Sequence, residues 1–200
     1  MEDDSKTAIL ETAKHLFSKH GYEATSVSRL AKEVGVAKSL IYYYFEKKED
    51  ILMELLANGT GDLYEMHQKM SDSAQEFTLD NLMSIIEKIA EKVRGRSDII
   101  RIMMQEFLKG THKENHTPPY MDSFLEYLKA RSEKHCRDDD KAQMKFIIEF
   151  LFFGSMPFHM YVVFEDFLSE KYNYDKEELW EHFMELYKKN YVIPLQERIK

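Results

Sequence analysis

Between Thr25 and Lys48, hydroxyl, aromatic and cationic side chains alternate with apolar ones in a pattern suited to holding a polyanion. Lys38 and Lys48 supply ammonium groups, Tyr42, Tyr43 and Tyr44 supply phenols, and Thr25, Ser26 and Ser39 supply hydroxyls. Ammonium and hydroxyl donors bind phosphate oxygens, while a serine hydroxyl or a leucine methyl can meet a base edge in a major groove. Helical spacing sorts these roles. If Ile41 and Phe45 point into the protein, a step of about 100° per residue sends Ser39 and Tyr43 directly away, with Leu40 and Tyr42 flanking them. Ser39 and Tyr43 are the expected base readers, and Leu40 is a partner for a thymine methyl. Lys38, Tyr42, Tyr44 and Lys48 are expected to hold phosphates from the rim, as are Thr25 and Ser26 at the start of the preceding helix.

Other chemistry is weaker. His112, Glu114 and His116 have a metal-like spacing, but the stretch Gly110 to Pro118 reads as a loop with no matched further ligand, so no metal is expected. His135-Cys136 lacks an orienting partner for nucleophilic catalysis. With no glycine-rich phosphate loop, Gly-x-Ser-x-Gly elbow or His-Glu-x-x-His segment, neither an enzyme nor a resident cofactor is expected. The rival reading is an adaptor or scaffold whose helical head binds protein.

The elements that must position the polyanion-binding side chains are helical. Ile9, Ala13, Leu16 and Phe17 share one helical face over roughly Lys6 to His20, between Ser5 as cap and Gly21 as stop. Val27, Leu30, Ala31 and Val34 repeat the pattern as far as Gly35, and Lys38 to Phe45 forms another short helix. Two short helices across a glycine turn make a helix-turn-helix, which presents its second helix to a groove. Charge follows this division. The chain of 200 residues carries a net charge of -8, yet from Ser5 to Lys48 eight Lys/Arg face four Asp/Glu. A basic head, residues 1–48, thus precedes an acidic body, residues 49–200. Apolar residues at 44%, with 7 Gly and 4 Pro, specify a folded chain. One cysteine, Cys136, and a start without a secretory leader point to the reducing cytoplasm.

The body has no strand-like alternation, so the fold class is all-α, with about nine helices in all. A long helix through Ile51, Leu52, Leu55 and Leu63 is expected to bend or loosen at Asn58-Gly59-Thr60-Gly61, and it reads as the sole covalent route from body to head. Helices follow over Leu79 to Val93, Ile99 to Phe107 and from Pro118 onward. Ile86, Met103, Phe107, Phe124, Tyr127, Phe150 and Phe153 are candidates for an effector pocket, with Glu106, Glu149 and His159 as polar groups that orient an apolar or amphipathic small molecule. From Phe146 to Phe164 nearly every position is apolar, so this helix must be covered on all sides. Glu149, Pro157 and His159 argue for protein rather than membrane as the cover. A second copy of the chain is expected on one side, with Trp180, Phe183 and Tyr187 of the last helix forming an outward stripe in the same dimer interface.

The string Thr25-Ser26-Val27-Ser28-Arg29-Leu30-Ala31-Lys32-Glu33-Val34-Gly35-Val36-Ala37-Lys38-Ser39-Leu40-Ile41-Tyr42-Tyr43-Tyr44-Phe45-Glu46-Lys47-Lys48-Glu49-Asp50-Ile51-Leu52 closely resembles the DNA-binding signature of the TetR family of transcriptional regulators. With Phe17 and Gly21, the match runs through about fifty residues without insertion; in the body only length and helix count agree. The resemblance implies a homodimer, most often a repressor, with a three-helix DNA-binding head on a palindromic double-stranded operator. It also implies a ligand-binding helical body, a dimer interface made mainly by the last two long helices, and phosphate contacts at the matching tyrosine and lysine positions. Ala37 stands where the family usually carries a capping Ser or Thr, and Leu40 where a polar or small residue is common.

Overall fold

Ile9, Ala13, Leu16 and Phe17 are all buried along one face of α1 (Glu2–His20). The computed structural model describes residues 2–72, 79–109, 126, 128–130, 132–133, 136 and 139–199, and its regular elements are helices throughout the described residues. α1 begins before Ser5, at Glu2. It ends at Gly21, whose φ of 84° is left-handed and whose N–H bonds Phe17 O at 2.9 Å. α2 (Val27–Val34) is capped by Ser26 Oγ, which accepts from the Arg29 N–H at 3.1 Å, and is closed by left-handed Gly35. α3 (Lys38–Tyr44) has no side-chain cap at Ala37.

α4 (Lys48–Asp72) is continuous helix through Gly59 and Gly61, against the expected loosening. The helical penalty of about 1 kcal/mol per glycine is too small to end a helix held by packing. Gly59 also has a reason to lack a side chain, since a Cβ there would lie 2.7 Å from Ile99 Cγ2. α5 (Leu79–Arg94) and α6 (Ser97–Leu108) follow.

The chain divides into two compact units, one of Met1–Asp62 with Asp98–Ser123 and one of Leu63–Ser97 with Phe124–Lys200. The chain passes between these two units after Asp62, Ser97 and Ser123, whereas residues 1–48 join the rest of the chain only where α4 begins. In the first unit, Leu30, Ile41, Phe45, Ile51 and Leu55 join the α1 face in one buried cluster, and Ile99 and Ile102 of α6 complete it.

The second unit is built around one long apolar helix from Asp140 to Tyr172. It comprises α7 (Asp140–Glu149), a π-helical segment (Phe150–Ser155) and α8 (Met156–Tyr172). Asp139 caps its start by accepting from the Lys141 and Ala142 N–H groups. α9 (Lys176–Tyr187), capped by Asp175, continues through a second π segment (Lys188–Val192) into α10 (Ile193–Ile199).

The expected outward stripe of α9 is turned inward. Phe183 stacks on Tyr161 at 4.5 Å between ring centroids, Trp180 lies 5.2 Å from Tyr161, and Tyr187 lies 4.5 Å from Phe158. The buried Tyr187 hydroxyl donates to Gly154 O at 2.9 Å, in the π segment whose altered bonding leaves carbonyls to satisfy. Rings spaced for one helical face found their partners on the chain's own long helix. The opposite face of that helix, with Phe152, Phe153, Met160, Phe164 and Phe167, stays exposed in the single chain. The helix is long and apolar enough to cross a membrane by length and composition, but it also carries buried Glu165 in an ion pair with Arg94 of α5.

Candidate nucleic-acid interface

The packing of α1, α2 and α3 decides which side of the recognition helix faces out. Ile41 and Phe45 are buried, and Ser39 and Tyr43 face solvent, Tyr43 being 68% exposed. Lys38 is exposed, with Nζ 5.6 Å from the centroid of the Tyr42 ring, which is 47% exposed. Leu40 is half-buried. These five residues and Ser26 at the α2 start therefore share the surface of one helix-turn-helix.

Three expected contacts are placed differently. Thr25 is fully buried, and its hydroxyl donates to Gly21 O at 2.9 Å at the end of α1, so its side chain is closed to a phosphate. The left-handed turn at Gly21 leaves that carbonyl without a helical partner, and Thr25 supplies one. Tyr44 is half-buried against the head's core and meets Tyr43 edge to face at 5.0 Å. Lys48 reaches back to the α1–α2 connection, where Nζ donates to Tyr22 O at 2.9 Å and sits 3.9 Å from the Tyr22 ring centroid.

Tyr22 was not among the sequence candidates, because the pairing with Lys48 spans 26 residues and no local pattern marks it. Its ring packs edge-on against buried Phe17 at 5.3 Å. Burial, followed by the charges of Glu23 and Glu49, pushes its phenol up to about 12. Just after α6, Lys109 brings a second ammonium to 5.6 Å of the same ring, paired with Glu106. Gln105 Nε2 donates to Ser18 O at 3.2 Å, which ties α6 to the end of α1.

The expected effector residues are divided between the two units. Met103 packs on the head's core, Glu106 pairs with Lys109, and Phe107 is half-buried in the same unit. In the second unit Phe150 stacks on Phe146, His159 Nδ1 lies 3.5 Å from Ser155 Oγ, Phe153 is exposed, and Ile86 and Glu149 are half-buried. Phe124 and Tyr127 lie outside the described residues, as do His112, Glu114, His116 and His135. An open cavity of about 240 Å³ in the second unit is lined by Glu87, Glu91, Trp180, Glu181 and Met184, none of which was an expected effector residue.

Comparison with known proteins agrees with this architecture. The family described as "Bacterial regulatory proteins, tetR family" matches residues 9–55. YhgD of Bacillus subtilis, an uncharacterised HTH-type transcriptional regulator, is 33% identical over 137 residues, covering 66% of this chain and 70% of that protein. Similarity therefore continues beyond the fifty residues of the head. The fatty acid metabolism regulator protein of Bacillus subtilis is 30% identical over 117 residues, 51% of this chain and 59% of that protein. Among solved structures, a regulator of the TetR/AcrR type from Aquifex aeolicus matches with a TM-score of 0.63 at 22% identity, covering 90% of this chain and 96% of that one. The regulator FadR from Bacillus subtilis in complex with stearoyl-CoA matches with a TM-score of 0.58 at 22% identity, with the same coverages of 90% and 96%. An exposed recognition helix on a buried three-helix head, a matching family signature and relatives that regulate transcription lead to one conclusion: this chain belongs to the TetR family of ligand-responsive, DNA-binding transcriptional regulators.

Proposed function

We propose that this regulator is a homodimeric repressor in the cytoplasm, that it holds a palindromic operator through residues 1–48, and that a long acyl thioester binding within residues 49–200 releases it. The observation that carries the DNA assignment is the outward row of α3, where Ser39 and Tyr43 stand exposed above buried Ile41 and Phe45. Ser39 and Tyr43 read bases. Lys38, Tyr42, Ser26 and Lys48 hold phosphates, which makes binding steeply dependent on salt.

The dimer assignment rests on the exposed face of the long helix. Phe164 is 45% exposed and Phe153 61%, and Leu186 of α9 adds an apolar side chain at 58%. A second copy laid on that face would remove these side chains from water. Trp180, Phe183 and Tyr187 stand behind the interface and stiffen it.

The effector assignment draws on the relatives. One is named a regulator of fatty acid metabolism, and a structural neighbour was solved with stearoyl-CoA. An acyl-CoA is amphipathic, the class of small molecule expected from the mixture of apolar and polar residues in the body. Gel retardation of DNA flanking the chain's own coding sequence, with stearoyl-CoA or free coenzyme A added, tests the reading. Release by the thioester alone is expected; retardation unchanged by any acyl-CoA would contradict the effector class.

A further inference from the structure

Lys38, Lys47 and Lys48 all sit near the rim of the recognition helix, but their surroundings differ. Lys38 is exposed beside the Tyr42 ring, and Lys47 is exposed and pairs with Glu49 at 2.8 Å. Lys48 is fixed by two contacts to one residue, a 2.9 Å hydrogen bond to the Tyr22 carbonyl and the Tyr22 ring face at 3.9 Å. Tyr22 is fixed in turn, its ring edge-on to fully buried Phe17.

We infer that Tyr22 is a positioning residue for Lys48, its carbonyl and ring face holding the ammonium in place for a phosphate before DNA arrives. The inference rests on the assignment of Lys48 to phosphate contact. An ammonium has three donors, so one on the carbonyl and one toward the ring leave another for a phosphate oxygen. A free lysine loses most of its rotamer freedom when it grips a phosphate, whereas one already held loses little. The ring's negative face contributes by attracting the cation. Lys109, just after α6 and 5.6 Å from the same ring, brings a second cation to this platform, and its charge is balanced by Glu106.

A double-mutant cycle on the full chain tests this, with a mixed-sequence DNA duplex as probe. Lys48→Ala should weaken binding and flatten the slope of log affinity against log salt by about 0.9, the loss of one phosphate contact. Tyr22→Leu should weaken binding about three- to tenfold with the slope unchanged, because the charge is still there but has lost the ring that helps to hold it. Tyr22→Phe keeps ring and carbonyl and should bind as the parent does. Adding Tyr22→Leu to Lys48→Ala should cost nothing further. Should Tyr22→Leu fail to fold, pentafluorophenylalanine at this position keeps the ring's shape while reversing its face potential, and the same loss is expected. Equal losses from the Tyr22 change with and without Lys48 would overturn the inference, since Tyr22 would then act through the shape of the head. A salt slope unmoved by Lys48→Ala would overturn the phosphate assignment, and the inference with it.

Discussion

Gly59 of α4 and Ile99 of α6 meet so closely that a methyl on Gly59 would lie 2.7 Å from Ile99 Cγ2 and 2.9 Å from Cγ1. Ile99 is buried, and its branched Cβ leaves it few other rotamers. Gly61, one half-turn on, has nothing within 4 Å of the same position. The two glycines therefore answer differently to alanine. Gly59→Ala should lose about 1–3 kcal/mol by overpacking, and Gly61→Ala should gain up to about 1 kcal/mol from helix propensity. Urea unfolding of each variant measures this, and equal stabilities would refute the close contact. Any effect of a stiffer α4 on effector release is accordingly read from Gly61→Ala alone.

Phe183 and Phe164 should separate stability from assembly. Phe183 packs on Tyr161 and Phe158 within the chain, so Phe183→Ala should cost on the order of 2 kcal/mol while the dimer persists. Phe164→Glu, on the exposed face, should give a folded monomer with weakened DNA binding, because an unpaired charge would be buried between two copies. Urea unfolding measures the stability loss, and sedimentation at one protein concentration checks the assembly of both variants. A dimer unaffected by Phe164→Glu would reject that face.

Arg94 ties three helices of the second unit together. Its Nε is 2.7 Å from buried Glu165 Oε1, its Nη1 is 2.9 Å from exposed Glu177, and its guanidinium lies 5.2 Å from the Trp180 ring. Tyr161 also donates to Glu165 Oε1, at 3.2 Å. Glu165→Ala would remove the buried acceptor that Arg94 Nε and Tyr161 share, leaving only their longer or more exposed partners, and should cost about 2–4 kcal/mol, whereas Glu177→Ala at the surface should cost less than about 1 kcal/mol. Thermal unfolding of the two variants side by side gives the answer, and equal losses would contradict the network's buried anchor.

The Tyr22 phenol should make the head sensitive to alkali. It ionises near 10 in the unfolded chain and at about 12 in the folded one, so between these values the unfolded state has lost the proton that the folded state keeps. Stability from this group is complete below pH 10 and is lost as pH rises toward 12. Tyr22→Phe should therefore unfold over a higher alkaline range, as followed by circular dichroism; a superimposable profile would refute it.

The head was legible because its signals are local. Ser26, Gly21 and Gly35 mark helix ends through backbone chemistry within four residues, and the spacing of Ile41 and Phe45 fixed the outward side of α3. Contacts between distant segments were not legible. Ile99 and Ile102 join the head's core across dozens of residues of intervening chain, and Tyr22 meets Lys48 across 26. Thr25 shows a different limit, since a hydroxyl at a helix start can face a phosphate or turn back onto a carbonyl, and the free carbonyl of Gly21 decided it. On α9, periodicity identified the apolar face but not its partner, which is the chain's own long helix. Neither π segment has a periodic signature, although Gly154 marks a close approach, a Cβ there lying 2.7 Å from the Tyr191 hydroxyl.

Selection of bound sequences from randomised duplex DNA, repeated with Tyr43→Ala, tests the central assignment most directly. A dimer that reads DNA through Ser39 and Tyr43 should enrich inverted half-sites with centres about 34–36 Å apart, and Tyr43→Ala should change the bases enriched within each half-site while keeping their spacing. Enrichment without dyad symmetry, or an identical consensus from parent and Tyr43→Ala, would contradict the account.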